Sequence, residues 1–328
     1  MTRNSVTVLF LLVFCQPVLA DNKTVVIKEW KVPWENTRPR DPYIAPDGRP
    51  WFCGQGGGYL ARFDPETEEF KKYDLGEGAG PHNLIIDAMG RIWYAGNRRA
   101  HIGRLDPDTG QVKKYSMPDA DVTDPHTLVF DHNGDIWFTA QISNHVGKLT
   151  VATGEIQLIE VPTSQARPYG ISIDSTGRPW IALFGTNKLA MIDPDSFRLT
   201  EYELPREKAR PRRLSITSDD NIWYVDYAGG VLGQFDPGKE VFIERQLPGG
   251  QDARPYGMTV DDKDRLWLVE TGEMPNRFVG YDPRQQQFIT VTEINSGAGA
   301  VRHMYFDQDK GAIWFGTDTN FLGRAIVP

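Results

Sequence analysis

Residues 166–180 read ARPYGISIDSTGRPW, and residues 253–267 read ARPYGMTVDDKDRLW. The anchor of this phrase, a tryptophan in a short apolar run, occurs seven times: Trp51, Trp93, Trp137, Trp180, Trp223, Trp267 and Trp314. The spacings are 42, 44, 43, 43, 44 and 47 residues, so the period lies near 43 and marks a repeat architecture. Each unit opens on a run of alternating polarity such as PYGISID, turns through Gly, Asp or Asn, and enters the tryptophan strand. A third strand such as HIGRLD follows, then in most units an Asp-Pro turn, then a fourth alternating run such as QVKKYSMP. That is four strands of period two joined by hairpin turns, with no sustained helical period anywhere.

Four short strands repeated at this interval make one blade of a β-propeller. The expected fold is therefore all-β, a seven-bladed β-propeller with four antiparallel strands per blade. The last unit stops at FLGRAIVP (321–328), after its third strand, while TVVIKEWKV (24–32) precedes the first full unit. The N-terminal strand is expected to complete the last blade, which removes an open sheet edge. The seven indoles are expected to pack between blades, where each can bury about 150–250 Å².

The ends and the charge set the setting. Residues 1–20 carry Arg3, an apolar run over 6–14 and Val18-Leu19-Ala20 before Asp21, the pattern of a cleaved secretory signal peptide. The domain is then 21–328, periplasmic or secreted. Loss of Arg3 takes the net charge from −8 to −9, a poor match for nucleic acid. The apolar run is too short to anchor the chain in a bilayer, so no membrane partner is expected. Of the two cysteines only Cys53 lies in that domain, so an internal disulfide is excluded and Cys53 reads as a small buried hydrophobe. The protein is expected to be a monomer.

In a propeller the first strand of each blade lines the axial channel. The residue eleven before each tryptophan gives Arg40, His82, His126, Tyr169, Arg212 and Tyr256; the seventh unit has one extra residue and gives Arg302. Neighbouring loops add Arg38, Arg167, Arg210, Arg213 and Arg254. The slots change from blade to blade while the strands around them repeat, which points to a ligand site at one channel mouth. Arg40, Tyr169, Arg212, Arg254 and Arg302 are the ligand-binding candidates, suited to a carboxylate, phosphate or sulfate on a small molecule. His82, His126, His303 and Tyr256 are the candidates for proton transfer. Asp124, Asp226, Glu270 and Asp318 are the candidate oxygen ligands for magnesium or calcium.

Seven repeats of the form RPYGISID…GRPW followed by IGRLDPDTG resemble the virginiamycin B lyase (streptogramin lyase) family over almost the whole mature chain. The resemblance implies a lyase that opens a cyclic depsipeptide by elimination. A base removes the proton α to a carbonyl, and a magnesium ion on two acidic residues steadies the developing charge. The family's base position corresponds to Arg302, its acidic positions to Ala300 and to Thr317 followed by Asp318, and its helper histidine to Tyr256. Arginine cannot act as the base. His303 adjoins Arg302, but adjacent strand residues face opposite ways, so only a bulge would aim it into the channel. His82 and His126, with Asp124 two residues before His126, offer a closer copy on other blades, although Ala140 and Gln141 stand where the second carboxylate belongs. Two further readings stay open: a non-catalytic propeller binding a small anion or a partner protein, and a metal lactonase resembling the gluconolactonase propellers, whose six blades disagree with seven anchors.

Overall fold

The computed structural model describes residues 11–12, 25–76 and 78–328. All of the signal-peptide segment except 11–12 lies outside the described residues. Seven blades of four antiparallel strands form a ring, and the two-residue strand Leu11–Leu12 adds in parallel to the outer strand Val241–Gln246 of the fifth. The innermost strands, in chain order, are Pro39–Ile44, Pro81–Ile86, Pro125–Phe130, Pro168–Ile173, Pro211–Ile216, Pro255–Val260 and Val301–Asp307. In blade 7 the order is Val26–Lys31, Phe321–Ile326, Ala312–Thr317, Val301–Asp307, so the N-terminal strand closes the ring as expected. Glu29 on that strand accepts from Ser296 N at 2.9 Å and Ser296 Oγ at 2.5 Å, tying the closure to blade 6.

The repeated phrase builds a turn around its aspartate. Asp174 lies six residues before Trp180. Its carboxylate accepts from Thr176 N (3.0 Å), Thr176 Oγ1 (2.7 Å), Arg178 N (3.0 Å), Arg178 Nε (2.7 Å) and Trp180 Nε1 (2.9 Å). One side chain thus closes the hairpin and satisfies the indole N–H of a fully buried tryptophan, which would otherwise cost about 1–3 kcal/mol. Asp87 and Asp261 do the same for Trp93 and Trp267, each at 2.8 Å, and Thr217 substitutes for Trp223 at 3.1 Å. Each tryptophan packs against the following blade: Trp180 of blade 4 meets Leu214, Ile222, Tyr224 and Phe235 of blade 5.

The small residue of the third strand has an equally local cause. A Cβ on Gly233 would stand 2.0 Å from Tyr224 Cζ, and one on Gly103 would stand 2.1 Å from Tyr94 Cζ. Only glycine lets these rings lie flat on the neighbouring strand. Cys53 is a free, fully buried thiol, and burial holds its pKa well above the usual range.

One irregularity positions the site. Every innermost strand shifts register against its second strand near the slot, between Arg40 and Tyr43, Pro81 and Leu84, Pro125 and Leu128, Pro168 and Ile171, Pro211 and Arg213, Pro255 and Met258, and Val301 and Met304. A bulge lets two consecutive side chains turn toward the axis. Strict alternation sends His303 away from the channel; the bulge brings it in.

Candidate functional site

All seven slot residues meet in one ring about the axis. Arg40 Nη1 donates to His82 Nε2 at 3.0 Å. The His82 and His126 rings stack at 3.7 Å between centroids, and His126 lies 4.1 Å from the Tyr169 ring. The hydroxyls of Tyr169 and Tyr256 share a hydrogen bond. Arg212 lies over the Tyr256 ring at 3.5 Å and is cradled by Phe184 and Tyr227 at 4.7 and 4.6 Å. Arg302 Nη1 donates to Tyr256 OH at 3.4 Å and closes the group. Arg40, His126, Tyr169 and Tyr256 are buried, whereas Arg212 and Arg302 are part-exposed and form the accessible floor of the mouth.

The bulges supply a second layer from the next residue of each strand. Arg213 crosses the axis, donating to Thr127 Oγ1 of blade 3 at 3.0 Å and to the Arg302 carbonyl of blade 7 at 3.0 Å. Its Nη2 stands 3.4 Å from Asp41 of blade 1. Asp41 also takes Arg40 Nε at 2.9 Å and Asn83 Nδ2 at 3.0 Å. This layer plugs the channel. It was not legible as a layer because alternation assigns these residues to the other face; the signal was their place one step beyond each slot.

Charge sets what this cluster can do. Burial pushes the Asp41 carboxyl up, but Arg40 and Arg213 hold it well below the usual range. Burial, then Arg40 and His126, press His82 well below the ordinary imidazole value; burial, then Arg213 and Arg40, do the same to His126. His303 falls to about 4 through burial and Arg213. All three are neutral at pH 7 and weak as bases. Burial resists ionisation of Tyr256, yet Arg212, Arg40 and Arg302 bring its phenol down to about 8. Among the described residues no carboxylate pairs with Arg212, so the mouth keeps an uncompensated positive charge.

Of the other candidates only Asp318 touches this ring. Arg254 is exposed on the loop entering blade 6, where its carbonyl accepts from Thr271 Oγ1 at 2.7 Å. Asp124 binds Ile142 N and Ser143 N. Asp226 takes Arg210 N at 2.7 Å and pairs with Arg206. Glu270 takes Gly249 N at 2.8 Å and Arg277 Nε at 2.8 Å. Asp318 is held by Arg302 Nε at 3.1 Å and Nη2 at 2.5 Å.

A divalent cation does not fit the positions that the resemblance assigns to it. Ala300 offers no ligand, and the one carboxylate there, Asp318, is taken by the Arg302 guanidinium. Among the described residues no three of His, Cys, Asp and Glu converge.

These features define a seven-bladed propeller whose mouth carries fixed guanidiniums instead of a histidine base. The sequence profile of the Virginiamycin B lyase family matches residues 25–325, and the chain belongs to that family. The selenomethionine-substituted virginiamycin B lyase of Staphylococcus aureus superposes with a TM-score of 0.84 at 23% identity, covering 93% of this chain and 100% of that one. A streptogramin B lyase structure gives 0.83 at 24% identity, covering 92% and 97%. The extracellular domain of a putative hybrid two component system from B. thetaiotaomicron gives 0.71 at 16% identity, covering 91% of this chain and 42% of that one. At these identities the likeness is one of fold. No curated protein matches the chain.

Proposed function

We propose that this chain is an exported propeller that binds a small carboxylate-bearing ligand at the channel mouth and does not perform the metal-assisted elimination that its family resemblance implies. The observation that carries this reading is the Arg302 guanidinium in the base slot, paired with Asp318 and set beside the unpaired Arg212 on Tyr256. Two part-exposed guanidiniums over an aromatic floor suit a planar carboxylate. Export rests on the leader pattern and on the likeness to extracellular domains. The test is a melting-temperature screen of the mature protein with glutarate, magnesium, calcium and a cyclic depsipeptide. Glutarate should raise the midpoint in wild type and leave it unmoved in Arg302→Ala. A shift with magnesium and none with glutarate would overturn the reading.

A second reading keeps lyase chemistry without a metal, favoured by the phenol of Tyr256 at about 8. Its phenolate takes the proton α to a carbonyl, the C–H pair becomes the C=C bond, and the ester oxygen leaves as a carboxylate while Arg212 and Arg302 hold the enolate. Chromatography of a cyclic depsipeptide tests it. An isomeric product formed in the presence of chelator and lost in Tyr256→Phe supports it; an unchanged substrate refutes it.

A further inference from the structure

The plug divides the axis into two ends, and the end opposite the mouth is a cavity of about 430 Å³. Its floor is the second layer seen from behind: Asn83, Thr127, Arg213 and His303. Its walls are mainly apolar, with Ile85, Val129, Ile171 and Met258 among them, interrupted by Ser172, Ser215 and Thr259. A half-open cavity of this size with mainly apolar walls and a few convergent polar groups has the anatomy of a small-molecule site.

Charge decides the occupant. The side chains of Arg40 and Arg213 are each 3% exposed, and they share one carboxylate, Asp41, at 0%. Two buried guanidiniums against one buried carboxylate leave one positive charge uncompensated, an arrangement that costs several kcal/mol without an anion beside it. His303 Nδ1, at the cavity floor, has no partner. The far end carries the opposite sign. Tyr43 and Tyr305, 4.3 Å apart, separate the cavity from an adjoining recess lined by Asp307 and Asp309; Asp87, also there, is paired to Arg91 at 2.7 Å.

We infer that this second cavity binds an elongated apolar molecule with a single carboxylate, its head on Arg213 and His303 and its tail against the aliphatic walls toward the rim. The inference does not depend on the reading of the mouth. The head replaces the missing anion, the tail displaces water from apolar side chains, and the acidic rim rejects a second carboxylate at the far end.

The experiment is calorimetric titration of octanoate, octylamine and octanedioate into the mature protein, with glutarate held in excess to fill the mouth. Octanoate should bind one equivalent, and octylamine and octanedioate at least about tenfold more weakly. Thr259→Phe fills the cavity from a small lining residue. It should weaken octanoate at least about tenfold and leave glutarate binding unchanged. Arg213→Gln should do the same to octanoate if it folds; Thr259→Phe decides the matter if it does not. No binding of octanoate, equal binding of octylamine, one-for-one competition with glutarate, or full binding in Thr259→Phe would each overturn the inference.

Discussion

The Asp174–Trp180 pair tests why the phrase repeats. In Asp174→Ala five donors lose their acceptor, including the Nε1 of an indole with 0% exposure. The two backbone amides, the Thr176 hydroxyl and the Arg178 side chain can turn to water, because Thr176 is exposed and the Arg178 side chain is 35% exposed. The indole N–H cannot. Losing hydrogen bonds to a charged acceptor and stranding one buried donor together cost about 2–4 kcal/mol. Trp180→Phe removes the same hydrogen bond from the other side and adds a packing loss of about 1–2 kcal/mol. In the double variant the stranded donor is gone, so the losses are less than additive. The expected coupling is about 1.5–3 kcal/mol, measured by urea denaturation of wild type, both singles and the double. A coupling below about 0.5 kcal/mol would show that the aspartate serves its turn alone and that the tryptophan spacing has another cause.

Four further outcomes follow from the same structure. The folded Asp174 carboxyl sits below its ordinary value because burial is outweighed by Trp180, Thr176 and Arg178, so its stabilisation is full above about pH 4 and is lost as pH falls through the folded value. The gap between wild type and Asp174→Ala should therefore narrow in acid, and a gap constant down to full protonation would contradict the assignment. Tyr256 should titrate near pH 8 in phenolate absorbance, and that step should vanish in Tyr256→Phe. Gly233→Ala places a methyl 2.0 Å from Tyr224 Cζ, so denaturation should show a loss of about 1–3 kcal/mol. Deleting residues 25–31 leaves Phe321–Ile326 as an open edge beside Trp314, and size-exclusion chromatography should show association in place of a single species.

The architecture was legible because the period is written in large, rare side chains. Seven tryptophans fix seven blades, and a unit short of its fourth strand at one end matches a spare strand at the other. The slot residues were legible for the same reason: they are variable positions inside a repeat, and all seven do surround the axis. The chemistry was less legible, because it depends on the bulge. A two-residue period sends Arg213, Asp41 and His303 away from the channel, and only the shifted register shows that they plug it. The carboxylates show a second limit. Asp124, Asp226 and Glu270 occupy ligand-like positions and each accepts hydrogen bonds from a loop at its own blade, a role that sequence position alone does not separate from metal binding. An aspartate stands six residues before Trp93, Trp137, Trp180 and Trp267, in plain view in the sequence, and its function follows from the need of each buried indole N–H for an acceptor.

The most direct test of the mouth is calorimetric titration of glutarate into chelator-treated wild type and Arg302→Gln in parallel. If guanidiniums have taken over the site, glutarate binds the metal-free wild type, adding magnesium changes nothing, and Arg302→Gln loses at least about tenfold in affinity. Binding that appears only when magnesium is restored, and survives Arg302→Gln, would contradict it.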